Sequence, residues 1–210
     1  MKLILLGAPG AGKGTQAEIL SCKYEIPTIS TGNILRAAMK NETPIGLKAK
    51  EYVESGKLVP DDVIIDIIRE RLLDDDCKNG YILDGMPRTI PQAKALETSG
   101  IEIDKAVCIE ISDDEIVARM SGRRTCTSCS TSFHIKHNPP KTADVCDQCG
   151  GELAVRKDDA PETVVARLKV YHQETEPLKN FYQAKGNLCI VESMGDINDI
   201  TNLIIKALER

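Results

Sequence analysis

The 210-residue chain contains no tryptophan, two phenylalanines and three histidines, and no apolar run approaches the ~20 residues that a membrane span requires. Met1 leads straight into a strand-like segment instead of a signal peptide, so the expected compartment is the cytoplasm, with no membrane partner. Positive charge is also short: 27 Lys and Arg stand against 32 Asp and Glu, for a net charge of −5. That balance argues against a general nucleic-acid binder, which needs a basic surface, while leaving room for a local arginine cluster that grips a small polyanion. The scarce histidines occupy no motif position, so no imidazole stands out as a general base.

Against these absences, Lys2 to Gln16 reads KLILLGAPGAGKGTQ, an apolar strand from Leu3 to Leu6, a glycine-rich turn and the start of a helix. Gly7, Gly10, Gly12 and Gly14 can take backbone angles closed to other residues. Successive N–H groups, those of Gly10, Ala11 and Gly12 among them, can then point at an anion while the helix behind adds its positive dipole end. Lys13 adds a mobile cation. The phosphate-loop pattern G-x(4)-G-K-[ST] is met at Gly7, Gly12 and Lys13, but Gly14 stands in the last place and the hydroxyl arrives one residue later as Thr15.

Further along, Ser30-Thr31-Gly32-Asn33 offers hydroxyl and amide caps for a helix carrying Ile34, Leu35 and Arg36. Pro44 breaks that helix, and a second is predicted over Gly46 to Glu54. A third follows Lys57-Leu58-Val59-Pro60-Asp61, with Val63, Ile64, Ile67, Ile68 and Leu72 on one face. Tyr81 to Leu83 reads as a buried strand, ending in Asp84-Gly85-Met86-Pro87-Arg88-Thr89 and Gln92, where an open parallel sheet binds its ligands. Lys105 to Ile111 gives another strand, and a helix from Asp113 to Met120 is followed closely by Arg123 and Arg124. A helix starting near Pro161 is predicted to bury Val164, Val165, Leu168 and Tyr171 and to project Arg167; strand Leu188 to Val191 and helix Ile197 to Leu208 close the chain.

The eight cysteines divide by spacing. Cys126, Cys129, Cys146 and Cys149 form two C-x2-C knuckles separated by sixteen residues, a pattern for one tetrahedral metal ion, with two disulfides as the competing reading. Four thiolates leave no open coordination position, so the ion is structural and folds an insertion, from about Thr125 to Val155, with little core of its own. Cys22, Cys77, Cys108 and Cys189 read as small buried hydrophobes.

Several of these segments resemble one family. The loop G-x-P-G-x-G-K-G-T is similar to that of the nucleoside monophosphate kinases, adenylate kinases above all; Ser30 to Arg36, Gly56 to Asp61 and Asp84 to Gln92 match further family segments, with Asn33 in place of an aspartate and Met86 in place of an aromatic. The four-cysteine insertion resembles the long-lid bacterial form. The resemblance implies that ATP is held by Gly10, Ala11, Gly12, Lys13, Gly14, Thr15, Arg119, Arg123, Ser132, Phe133 and Gly195. It implies that AMP is held by Thr31, Arg36, Lys57, Leu58, Val59, Gly85, Met86, Pro87, Arg88, Gln92, Arg156 and Arg167. Lys13, Arg88, Arg123, Arg156 and Arg167 would act on the transferring phosphoryl, with Asp158 and Asp159 orienting arginines and Asp84 holding magnesium through water.

The expected fold is therefore α/β, a three-layer P-loop NTPase fold with a central parallel sheet. Its core would comprise residues 1–29, 60–121 and 160–210, with a helical monophosphate-binding arm at 30–59 and a metal-binding lid at 122–159. The expected activity is reversible transfer from Mg-ATP to AMP, giving two ADP, by a monomer that holds one structural lid metal, zinc with iron or cobalt as alternatives. A kinase for another nucleoside monophosphate is the nearest rival, and a nucleotide-switched binding module the more distant one.

Overall fold

The computed structural model describes residues 1–209. Among them, β1 (Lys2–Leu6), β2 (Thr28–Ser30), β3 (Tyr81–Asp84), β4 (Lys105–Glu110) and β8 (Leu188–Glu192) form a parallel sheet in the order β2-β3-β1-β4-β8. Because successive side chains of a strand alternate between faces, β1 splits its apolar residues. Leu3 and Leu5 join Ala17, Leu20, Ile200 and Ile204 on one side, whereas Ile4 and Leu6 join Leu35, Ile64, Ile68, Leu96 and Leu178 on the other. Each such side chain contributes about 1.5–3 kcal/mol when fully buried. Helices α1 (Lys13–Tyr24) and α9 (Ile197–Leu208) thus cover one face. The other is covered by α2 (Thr31–Lys40), α4 (Asp61–Arg71), α5 (Ile90–Thr98) and α8 (Leu178–Ala184), which completes three layers.

From β1 the chain leads through α1 to β2 on one side of the sheet, while β4 leads on to β8 on the other. A crevice therefore opens beyond the carboxyl ends of these neighbouring strands. Two excursions flank it. The first packs α2 against α3 (Pro44–Ser55); the second follows α6 (Asp113–Gly122) as an antiparallel sheet of β5 (Arg123–Cys126), β6 (Ser132–His134) and β7 (Leu153–Ala154), then returns through a 3-10 turn at Lys157–Asp159 into α7 (Pro161–Val170). The buried apolar cluster of the second excursion is Cys126, Phe133, Cys146 and Leu153, too small a core to order such a segment unaided.

Among the described residues, four of the nine α-helix starts follow local chemistry. Thr43, Thr89, Ser112 and Asp196 each accept a backbone N–H from the first turn of the helix they precede. The expected cap of α2 does not form. Ser30 Oγ instead donates to Asp84 Oδ2 at 3.3 Å, Thr31 Oγ1 donates to the Gly85 carbonyl at 3.1 Å, and Asn33 accepts from Arg36 at 2.6 Å. Ser30 and Thr31 thus stitch the start of α2 to the end of β3, a tertiary demand that overrides the local one, while the Asn33 bond stays within the helix.

Three further expectations are corrected. Val165 is exposed because Val164, Leu168 and Tyr171 repeat at four- and three-residue steps and leave it about 100° round the helix. Cys22 is exposed and Cys189 half-buried, whereas Cys77 and Cys108 are buried as expected; Cys22 lies opposite the Gln16, Ala17 and Leu20 face of α1. Gly14 has ordinary helical geometry, and Gly7, Gly10 and Gly12 carry the positive φ values.

Candidate functional site

The loop after β1 curls around its own lysine. Gly12, at φ 96°, is the residue from which α1 starts, and a Cβ placed there would meet no atom within 4 Å. Packing therefore does not demand glycine here. The left-handed angle does, and it leaves open space at the positive end of the helix. Lys13 Nζ donates to the carbonyls of Gly7 and Ala8, both at 2.8 Å. Burial pulls its pKa down to about 8, with Asp84 opposing and Arg88, Arg167 and Arg123 reinforcing the shift.

A chamber of about 490 Å³ lies above this loop. Gly10 to Thr15, Asp84, Arg119, Arg123, Ser132, Phe133, Arg156 and Gly195 all line it, so every ATP contact expected from the sequence reaches one cavity. Arg119 is fixed by Glu115 at 3.2 Å and by the Ser193 hydroxyl at 2.9 Å. Gln16 holds the far wall: it accepts from Thr201 at 2.8 Å and donates to the Ile197 carbonyl at 3.1 Å, which ties α1 to the helix following Gly195. Phe133 is 7% exposed and packs in the small core of the second excursion, so its ring serves that core as well as the chamber. His134, His137 and Asn138 reach the same chamber, which no spacing in the sequence signals.

A second, tighter cleft of about 60 Å³ is lined by Thr31, Leu35, Arg36, Lys57, Leu58, Val59, Ile64, Gly85, Arg88, Gln92, Asp158 and Arg167. Pro87 lines a neighbouring crevice with Lys13 and Arg88. Met86 is fully buried in the apolar core, and its side chain lines neither the chamber nor the cleft. Arg36, Gly85, Arg88 and Arg167 border both spaces, which therefore meet at a wall of guanidinium groups.

That wall is short of counterions. Arg123 is held by both oxygens of Asp159, and Arg167 by Asp158 at 2.8 Å. Burial raises the Asp158 carboxyl, but Arg167, Arg36, Arg123 and Arg156 outweigh it and keep the group below its usual range. Among the described residues, Arg156 is hydrogen-bonded only to neutral partners, the hydroxyls of Thr125 at 2.7 Å and Ser132 at 3.1 Å. Burial, then Arg123 and Arg36, bring its pKa down to about 9. Burial likewise lowers Arg36, Arg88 and Arg167. The buried Nε of Arg36 has no hydrogen-bond partner among the described residues. Such a set of desolvated, under-paired cations is a receptor for polyanions.

Comparison with known proteins agrees with this geometry. The family model described as adenylate kinase matches residues 5–187. The chain is 56% identical to the adenylate kinase of Caldicellulosiruptor bescii and 55% identical to that of Caldicellulosiruptor saccharolyticus, over 99% of both chains in each case. It is 51% identical to the adenylate kinase of Lachnospira eligens, over 99% of this chain and 100% of that one.

The chain belongs to the adenylate kinase family.

The cysteine knuckles of this adenylate kinase family member come together as spacing predicts. The four sulfurs lie within 4.8 Å of one another, with Cys126 to Cys149 at 3.5 Å and Cys129 to Cys146 at 3.6 Å. A tetrahedral ion with ~2.3 Å metal–sulfur bonds requires edges of about 3.8 Å, whereas a disulfide requires ~2.05 Å, so the donor set fits an ion. The N–H groups of Ser128 and Cys129 point at Cys126 Sγ, at 3.4 and 3.5 Å, and favour a thiolate there. Among the described residues, no helix is long and apolar enough to cross a membrane.

Proposed function

We propose that the protein moves a phosphoryl group reversibly from Mg-ATP to AMP, giving two ADP. The observation that carries this reading is the shared guanidinium wall: the phosphate-loop chamber and the cleft beside α2 meet at Arg36, Arg88 and Arg167. Two polyanions approaching end to end repel, and the barrier falls when fixed cations neutralise them and align the attacking oxygen with the leaving one.

In this reading Lys13 leaves its carbonyl partners for the ATP phosphates, which are cradled by the N–H groups of Gly10 to Thr15. Arg119, Phe133, Ser132 and Gly195 surround the adenosine. Arg36 and Arg88 hold the AMP phosphate, while Arg123, Arg156 and Arg167 surround the transferring group. Thr31, Lys57, Leu58, Val59, Gly85 and Gln92 enclose the acceptor's base and ribose. Magnesium carried with ATP neutralises charge between its outer phosphates. Asp84 suits it through water, since the hydroxyl of Ser30 is the one hydrogen-bond partner of its carboxylate among the described residues. No general base is needed, because the attacking phosphate oxygen is already anionic.

The cleft is lined by Leu35 and Arg36 of α2 and Val53 of α3, so this arm, residues 30–59, moves away to admit AMP. The arm touches the lid, residues 122–159, through Lys40 to the Thr127 carbonyl at 2.9 Å and Lys157 to Glu54 at 3.4 Å, which marks a closed state that keeps water out during transfer. Both nucleotide sites are built from one chain, which supports action as a monomer. The lid ion is zinc, which favours four tetrahedral thiolates and brings no redox chemistry. Gln92, with a carboxamide that faces the cleft, favours adenine over the other bases.

The test is phosphorus NMR of ATP and AMP with the native protein and with Lys13→Met and Arg88→Ala. ADP should accumulate with the native enzyme, and each variant should lose ~100-fold or more in kcat/KM. Near-native turnover in a folded variant contradicts the assigned role.

A further inference from the structure

Gln92 lies in the first turn of α5, 2% exposed, and lines the acceptor cleft with Thr31, Val59 and Ile64. A carboxamide is nearly symmetrical in shape but not in chemistry. Turning it by 180° about its last bond exchanges an acceptor for a donor. Two neighbours forbid that turn. The backbone N–H of Arg88, which can only donate, meets Gln92 Oε1 at 2.7 Å, and the carboxylate of Asp61, which only accepts, takes Gln92 Nε2 at 2.6 Å. After a flip the carboxylate would face an oxygen and the N–H would face an amino group, so both bonds would become repulsive contacts.

We infer that Asp61 fixes the direction in which Gln92 reads the acceptor base and is thereby a specificity-positioning residue of the monophosphate site. The inference rests on the reading of Gln92 as the base contact. With one N–H given to Asp61 and one lone pair given to Arg88, the amide keeps one N–H and one lone pair, their order fixed by those two bonds. Adenine complements that order, since N1 accepts and the 6-amino group donates. Guanine and hypoxanthine reverse it, with N1–H donating and O6 accepting. Rejection then follows from unpaired and opposed polar groups at a buried site, the kind of selectivity that a site built around hydrogen bonds achieves best. Cytosine shares adenine's order, so this lock discriminates by edge chemistry and leaves the exclusion of pyrimidines to the size of the cleft. Asp61 is the first residue of α4 and Arg88 follows β3, so the lock joins α4 to the segment after β3.

The competing role for Asp61 is purely local, an acidic residue in the first turn of α4 that complements the helix dipole. The two roles separate with inosine monophosphate, which differs from AMP chiefly at the edge in question. The experiment measures kcat/KM for AMP and for inosine monophosphate, at saturating ATP, in the native enzyme and in Asp61→Asn, Asp61→Leu and Gln92→Leu, with a thermal melt of each. Without Asp61 only the Arg88 N–H still opposes the turn, so Gln92 presents the reversed order more often and the AMP-to-inosine-monophosphate ratio should fall roughly tenfold in both Asp61 variants, chiefly through KM. If the leucine variant does not fold, the near-isosteric asparagine variant carries the test. An unchanged ratio in the Asp61 variants, with Gln92→Leu collapsing it, overturns the lock while leaving Gln92 as the base contact. An unchanged ratio in Gln92→Leu overturns the base contact itself and the lock with it.

Discussion

Asp159→Ala is the most informative perturbation of the cation wall. The carboxylate is fully enclosed, it grips Arg123 through both oxygens, and Arg167 lies 3.6 Å from it. Arg123 opens β5, where the chain enters the lid, and Asp159 ends the 3-10 turn by which it leaves, so the pair clasps the lid's base. Removing one member of a buried pair strands the other, at a cost of about 3–5 kcal/mol. For a chain of this length, ~2–4 °C of Tm accompanies each kcal/mol, so a loss of roughly 6–20 °C is expected. The same change raises the net positive charge of a site where Lys13, Arg36, Arg88, Arg156 and Arg167 are already disfavoured by burial. Phosphates should therefore restore more stability to the variant than to the native protein. Calorimetry with and without a compound joining two adenosines through five phosphates measures this directly. A native-like melt without ligand, or an equal ligand-induced rise in both proteins, refutes the argument.

Three further outcomes follow from the same geometry. With Lys13 at about 8 in the free protein and the ammonium required by phosphate, binding takes up a proton above that pH; the KM for ATP should be flat below pH 8 and rise up to about tenfold per unit above it, and Lys13→Arg should abolish the rise. Cys129→Ser should lower bound metal and Tm together while transfer survives at low temperature, as metal analysis, a melt and an assay on one preparation would establish; an unchanged melt in metal-free protein rules out the structural role. A Cβ at Gly46 would lie 2.1 Å from the Ala38 carbonyl oxygen, so Gly46→Ala should strain the α2–α3 contact by about 1–3 kcal/mol and raise the KM for AMP more than that for ATP.

Much of this site is legible in the chain because its parts are local. A strand, a glycine loop and a helix occupy consecutive residues, two cysteine knuckles each span four, and the turn after β3 holds Asp84 to Arg88 together. What the sequence hides is who pairs with whom across the fold. Ser30 carries the chemistry of a helix cap, yet its partner is Asp84 at the end of β3. Gln92 reads as a free amide, but Asp61, thirty-one residues earlier, holds one end of it. Val165 and Cys22 fail for a simpler reason: on a helix, one or two residues change the face, and apolar character alone does not fix the phase.

The central claim is that one chain brings ATP and AMP end to end across the Arg36, Arg88 and Arg167 wall. Its most direct test is ADP formation from Mg-ATP with AMP, GMP, UMP or CMP in turn, against a control without acceptor. The account predicts rapid ADP formation with AMP, with each mismatched base disfavoured by roughly 1–3 kcal/mol for its unpaired polar groups and only slow loss of ATP to water. ATP turnover that is independent of any monophosphate, or faster with UMP or CMP than with AMP, would contradict it.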